Sequence, residues 1–279
     1  MPGASAGVEA ALDLDEFRRL PPAGTFLEHD VELHIALAED RDADCEAAAL
    51  SHLVGHGRQL RTLELLAGGG YHGRALTRAG HDRHYLDCST AMRGRAVNRL
   101  DVPEAHYHLG RLPELPASVR AAAPYDLVIL ARFSLAYFPP HQVQDIARAL
   151  RALMRPGAIW AVELQDLTSV ANHHRDLDIR VRKATLDGRT ATLEFPDANV
   201  LVVPGECGEP PVLWQSYTLT VESESGREQS RYGHRELLYD PDYLKQQLPA
   251  IAGNFTRVWT PELDVAFPQS TLLALRALP

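Results

Sequence analysis

Residues Leu63–Leu76 read LELLAGGGYHGRAL, and this stretch decides the fold. LRTLELLA (60–67) reads as a buried strand, GGG as a turn, and YHGRALTRAG (71–80) as a helix ended by Gly80. A strand, a glycine-rich turn and a helix N-terminus make a place where backbone N–H groups and the helix dipole face a ligand. Glycine there permits positive φ and lets a ligand approach the main chain. The bland reading of the same residues is a tight turn and nothing more.

Working outward, the alternation continues. DRHYLDC (82–88) reads as a second strand and PYDLVILAR (124–132) as a third. HQVQDIARALRALM (141–154) is an amphipathic helix with Val143, Ile146, Ala147, Leu150 and Leu153 on one stripe. RPGAIWAVELQ (155–165) gives a turn and another strand. Apolar strands alternating with helices mean a parallel sheet covered on both faces, with right-handed crossovers. Upstream, Leu27, Val31 and Ile35 recur at helical spacing, although VELHIAL also alternates as a strand does. Cys45 to Leu53 continues as a second helix, and GHGRQ (55–59) is a break.

The pattern changes after about residue 166. IRVRKATL-DG-RTATLEF carries Asp187-Gly188 between two alternating runs, a strong hairpin signal. Trp214–Glu222 and Arg227–Glu236, joined by Ser225-Gly226, read as another antiparallel pair. RELLYDPDYLKQQL (235–248) resumes helix, and FTRVWTP with STLLALRAL gives two final strands. The expected division is a helical N-terminal cap (1–58), a Rossmann-like core (59–166), an antiparallel β insert (167–235), and a last helix and strands completing the core (236–279).

The totals bound the function. The chain has 279 residues, 45% hydrophobic and 23% charged, as ordinary soluble domains do. A formal net charge of −9 argues against nucleic acid or an anionic membrane as partner, since both call for clustered cations. Cys45, Cys88 and Cys207 lie far apart, so a reduced, cytoplasmic setting is expected rather than a disulfide framework or a cysteine zinc site. The opening residues are acidic and lack an apolar core, so no signal peptide is expected, and no apolar run approaches the ~20 residues that span a bilayer.

Asp87 ends the second strand, 23 residues after Glu64. An acidic residue at about that distance past a glycine turn suits a ribose diol, whose two hydroxyls donate to one carboxylate. The competing role is a helix cap, from Asp87 or Ser89.

LELLAGGG, GHDRHYLDCSTAM, YDLVILARFSLAYF and LRALMRPGAIWAVEL, in that order, resemble the motifs of class I S-adenosylmethionine-dependent methyltransferases. The matching positions are Glu64, Gly68 and Gly70, then Asp87, Asp126, and Pro156-Gly157, over about residues 60–165. The resemblance implies an α/β fold of the class I methyltransferase type and S-adenosylmethionine as cofactor, with S-adenosylhomocysteine as product. It implies that Gly68 and Gly70, with Glu64 and Ala67 around them, admit the methionine part. It implies that Asp87 holds the ribose hydroxyls, that Cys88 and Met92 flank the adenine, and that Ala131, Arg132 and Phe133 line the methionine and substrate side, with Tyr137 a further candidate. Two positions depart from the pattern. Leu66 stands where the family has its first glycine, and Gly110-Arg111 where an aspartate often meets the adenine amine; a guanidinium accepts no hydrogen bond.

His173 and His174 follow the AVELQ strand in a loop at the ligand-bearing edge, and Tyr232 and His234 fall on the insert. These four are the candidates for a base or orienting group. Each has an ordinary alternative as solvated loop or sheet surface. Glu163 and Asp166 could assist as base or acceptor. His106-x-His108 suggests a metal pair, but no third ligand is evident beside it, so no metal is expected. GGGYHG lacks the lysine of a phosphate loop, while Gly68, Gly70 and Gly73 also satisfy a dinucleotide fingerprint, leaving a nicotinamide-dependent oxidoreductase as an outside reading.

The expectation is methyl transfer to an oxygen or nitrogen of a small metabolite or natural product. The insert is expected to act as a lid, or as the surface for a homodimer or partner subunit. The alternative is a methyltransferase fold that has lost methyl transfer and serves as a cyclase, an eliminating enzyme or a non-catalytic subunit, favoured by Leu66 and Arg111.

Overall fold

The computed structural model describes residues 13–22, 30–38, 41–55, 57–167, 170, 181–197, 200–206, 208–268 and 270–279. Five strands open the main sheet: β1 (Arg61–Leu65), β2 (Asp82–Asp87), β3 (Tyr107–Leu109), β4 (Tyr125–Leu130) and β5 (Met154–Leu164). A second sheet follows, made of β6 (Val181–Leu186), β7 (Arg189–Glu194), β8 (Leu201–Val203), β9 (Val212–Ser223) and β10 (Gly226–Leu237). The chain then returns with β11 (Phe255–Val258) and β12 (Thr271–Ala277). The first sheet has seven strands in the order β3-β2-β1-β4-β5-β12-β11, with β12 antiparallel to β5.

Every residue of β4 is buried, as a central strand covered on both faces requires. On one face Leu63, Leu65, Val128, Leu130 and Trp160 meet Val143, Ile146 and Leu150 of helix Pro140–Arg151. On the other, Leu127, Ile129 and Ala161 meet Leu50 and Leu53 of helix Ala43–Val54 and Leu76 of helix Gly73–Arg78. The expected amphipathic stripe is therefore the one the core uses. Strand order reverses between β1 and β4, and the crevice at their carboxyl ends is where open α/β sheets bind ligands.

Helix Val31–Ala38 explains its own ambiguous sequence. Leu33 and Leu37 pack on Ala191 and Leu219 of the second sheet, while Ile35 packs on Ala67 and Tyr85 of the first. A helix wedged between two sheets is apolar on two faces, and VELHIAL imitates strand alternation for that reason.

Three local expectations shift. Pro156-Gly157 lies within β5 rather than before it. The register steps there from Tyr125↔Met154 to Leu127↔Ile159, and Gly157 takes φ 80° in the irregularity. Glu224 and Ser225, not Ser225-Gly226, form the β9–β10 loop, because Gly226 already pairs with Ser223. Arg235–Leu237 stay in β10, and the next helix starts at Pro241, where Asp240 caps the Tyr243 N–H at 2.8 Å. The Asp187-Gly188 hairpin stands as expected, with φ of 49° and 75°. Among the described residues no helix is long and apolar enough to cross a membrane.

Candidate functional site

The turn after β1 is tight: the Gly70 N–H donates to the Ala67 carbonyl at 2.7 Å, and the buried Ala67 donates to the Leu86 carbonyl at 3.1 Å. A Cβ on Gly70 would sit 3.0 Å from the Tyr85 ring, and one on Gly73 only 1.7 Å from the Tyr85 hydroxyl oxygen. Those two glycines answer to the protein's own packing. Gly68, at φ 48°, is different: a Cβ there would meet nothing closer than Tyr71 at 3.8 Å, so its backbone has an open side. Leu66 adopts a glycine-like φ of 48°, at about 1–2 kcal/mol for an L-residue, and packs its side chain against the core cluster that holds Leu130 and Leu135.

Asp87 closes this turn. Its Oδ2 accepts the Gly68 N–H and its Oδ1 accepts the Ser89 N–H, both at 2.8 Å. The cap of helix Thr90–Arg99 is Ser89, whose hydroxyl accepts the Met92 N–H, so the capping role belongs to the serine. Each Asp87 oxygen keeps a lone pair for a further donor. Tyr107 completes the clamp by donating to the Gly68 carbonyl at 3.0 Å. Burial and then the Asp87 charge raise the Tyr107 hydroxyl pKa, so it stays a donor. Beyond the clamp, Leu109 is 39% exposed and pairs with Asp87, which Cys88, exposed, follows in the chain, while Met92 is buried. The arrangement suits a ligand carrying vicinal hydroxyls and a flat apolar ring. Arg111 is exposed just past Gly110, whose N–H donates to the Asp87 carbonyl.

Beneath the turn runs a buried chain of charges. His72 places Nδ1 2.9 Å from Glu64 and Nε2 2.8 Å from Glu46. Burial opposes its protonation, but the Glu64 charge and the hydrogen bonds to both carboxylates outweigh burial and push the pKa up to about 9. Arg41 spans Glu46 at 2.6 Å and both oxygens of Glu163 at 2.7 and 2.8 Å. Glu163 also accepts the Arg132 N–H at 2.6 Å. Burial alone would raise the Glu163 pKa; the Arg41 charge and hydrogen bonds hold it low, so it is an anchor rather than a base. The chain ties β1, β5 and the end of β4, where Arg132 and Phe133 take left-handed φ of 54° and 59°. The Arg132 guanidinium lies 4.1 Å from the Tyr71 ring centre. Glu64 Oε2 is buried without a hydrogen-bond partner among the described residues, an acceptor suited to a cationic donor.

The second sheet meets this crevice through one face of β9 and β10. His234 Nε2 lies 2.7 Å from Glu236 Oε1, and Gln215 donates to Glu236 Oε2 at 3.1 Å. The His234 ring packs edge-on against Tyr137, which follows β4, and Phe195. Phe133, Gln165, Phe195, Gln215 and Glu236 line a small cavity of about 20 Å³ between the sheets. Tyr232, two residues before His234 on the same face of β10, packs against the cluster that holds Leu33 and Leu37, with its ring 5.2 Å from that of Tyr217. His173 and His174 lie outside the described residues. His34, on helix Val31–Ala38, is held near pKa 4 by burial and by the Arg132 and Arg182 charges.

Sequence reading missed Glu236, Gln215, His72, Glu46 and Arg41. Glu236 had a signal, since residues two apart on a strand share a face. Glu46 and Arg41 had none, because only tertiary folding brings them to Glu163 and His72.

Comparison with known proteins bears on this architecture. The chain is similar to the sugar N-methyltransferase KedS8 from Streptoalloteichus, at 16% identity and TM-score 0.64, covering 100% of this chain and 98% of that one. The fold is that of a class I methyltransferase. CcbJ, a methyltransferase from Streptomyces caelestis, matches at 18% identity and TM-score 0.61, covering 91% of this chain and 98% of that one. CalS10, an amino pentose methyltransferase from Micromonospora echinaspora solved with S-adenosylmethionine bound, matches at 15% identity and TM-score 0.59, covering 85% and 92%. No protein-family model matches the sequence, and no curated protein matches it by sequence.

Proposed function

We propose that the protein transfers a methyl group from S-adenosylmethionine to an oxygen or nitrogen of a small molecule. The observation that carries the reading is the Asp87 clamp on Gly68 after β1, at the carboxyl end of the sheet where the strand order reverses; a histidine–carboxylate pair stands on the second sheet against Tyr137, which follows β4. When bound, the cofactor supplies an electrophilic methyl group on a positively charged sulfur. Asp87 would accept the ribose hydroxyls, and the open side of Gly68 would take the methionine part. Leu109, Cys88 and Met92 would hold the adenine by apolar contact. Leu66 does not argue against this reading, since its side chain packs on the core. Neither does Arg111, which leaves backbone groups to meet the adenine edge.

His234 is the group we assign to accept the acceptor's proton. With Nε2 on Glu236, Nδ1 is left for the acceptor, and the carboxylate stabilises the imidazolium that forms. The rings of Phe133 and Phe195 line the cavity beside Glu236, and Tyr137 packs on His234, so alignment of the acceptor behind the methyl group would supply much of the rate. Similarity to a sugar N-methyltransferase and an amino pentose methyltransferase supports a sugar or related natural-product acceptor. The test is incubation with labelled S-adenosylmethionine and a panel of amino- and hydroxy-sugars. A product heavier by one methyl unit supports the reading. Turnover without that gain in mass would indicate cyclisation or elimination instead.

A further inference from the structure

A cluster that methyl transfer does not use sits at the opposite end of β2 from Asp87. Asp82 and His84 open that strand, while His106 closes a single 3₁₀ turn (Glu104–His106) that leads into β3, where His108 lies. His84 and His108 are buried; Asp82 and His106 are partly exposed. We propose that Asp82, His84 and His106 form a site for a divalent transition-metal ion of the zinc class, which clips the start of β2 to the entry of β3.

Two observations support it. First, the ligand atoms lie within 4.8 Å of one another. Asp82 Oδ1 lies 3.5 Å from His84 Nε2 and 3.8 Å from His106 Nδ1. These separations are long for hydrogen bonds. They are close to the roughly 3.3–3.4 Å edge of a tetrahedron built on zinc bonds of about 2.0–2.1 Å. Second, the outer partners are already in place. Arg61 donates to Asp82 Oδ2 at 2.8 Å, which leaves Oδ1 facing the histidines. His84 Nδ1 lies 3.1 Å from His108 Nε2, so a proton on Nδ1 satisfies His108 and leaves Nε2 as a free lone pair.

Two imidazoles and one carboxylate select zinc, cobalt or nickel over magnesium or calcium, and leave a fourth position for water. The His84 and His106 rings stack at 4.4 Å between centres, so His106 must turn to aim Nδ1. Its side chain is 34% exposed, which leaves room for that rotation. The sequence showed only His106-x-His108; the third and fourth members arrive by strand pairing, Tyr85↔Tyr107 and Leu86↔His108 setting the alignment.

The test is calorimetric titration of the metal-stripped chain with Zn²⁺ alone, beside thermal unfolding with Zn²⁺ or chelator. Wild type should bind one ion and unfold at a higher temperature with it. His106→Ala, a change at a partly exposed position, should weaken binding at least tenfold and abolish the shift. Its affinity for S-adenosylhomocysteine should stay within twofold of wild type, because the cluster is about 16 Å along β2 from Asp87. No Zn²⁺ binding by wild type would overturn the proposal. So would equal binding by His106→Ala, which would assign the ion to other histidines.

Discussion

Asp87 holds the amide of Gly68: its Oδ2 accepts that N–H at 2.8 Å, while Tyr107 holds the carbonyl of the same residue at 3.0 Å. The residue that would take the ribose therefore also fixes the backbone the methionine part would lie against. A charged hydrogen bond of this kind contributes about 1.5–3 kcal/mol.

Replacement of Asp87 separates these roles. Asp87→Ala should lose at least tenfold in S-adenosylhomocysteine affinity and also lower the unfolding temperature. Asp87→Asn keeps an acceptor oxygen for Gly68, so it should lose affinity with a smaller thermal penalty. Calorimetry and thermal unfolding of both variants decide it; wild-type affinity in Asp87→Ala would remove Asp87 from the site.

Leu66 takes a glycine's φ with its side chain on the core. Leu66→Gly should leave cofactor affinity within about threefold. Relief of a strained φ, ~1–2 kcal/mol, opposes the lost packing, so the change in stability should be small. A tenfold gain in affinity would instead mean that the leucine crowds the ligand.

His72 gives a pH signature. Its folded pKa, about 9, lies above the ordinary 6.5, so its stabilisation is complete below pH 6.5 and is lost as pH rises through 9. A shift of that size corresponds to about 3 kcal/mol at most. His72→Gln should therefore be less stable than wild type at pH 6, and the gap should narrow toward pH 10. Denaturant unfolding across that range measures it, and a gap independent of pH would deny the charge.

His234 and Glu236 are expected to act after binding. His234→Ala should reduce kcat by ~10²–10⁴ while leaving S-adenosylhomocysteine affinity near wild type. Glu236→Gln should reduce it less, since His234 remains. Single-turnover rates with saturating cofactor are the measurement, and an unchanged rate in His234→Ala would move the base elsewhere.

The glycine turn, Asp87 and the β-α alternation were legible because each rests on local chemistry: positive φ, a carboxylate at a strand end, one apolar stripe per helix. The Asp187-Gly188 hairpin was legible for the same reason. The charge chain was not. Arg41 and Glu163 are 122 residues apart, and nothing in either neighbourhood announces the other. The end of β10 was misread because RELL suits a helix by propensity, whereas pairing of Arg235–Leu237 with Val212–Trp214 decides it. His234 was among the candidates read from the sequence while Glu236, which the structure puts against it, was not, and His106 was set aside before strand pairing brought Asp82 and His84 beside it.

The most direct measurement is calorimetric titration of the wild-type chain with S-adenosylhomocysteine, paired with its unfolding temperature. One ligand per chain should bind, and at a hundred times the dissociation constant it should stabilise the fold by ~2.7 kcal/mol, a visible thermal shift. Neither heat nor shift, in a sample whose circular dichroism shows it folded, would contradict the proposal that this crevice is a methyltransferase cofactor site.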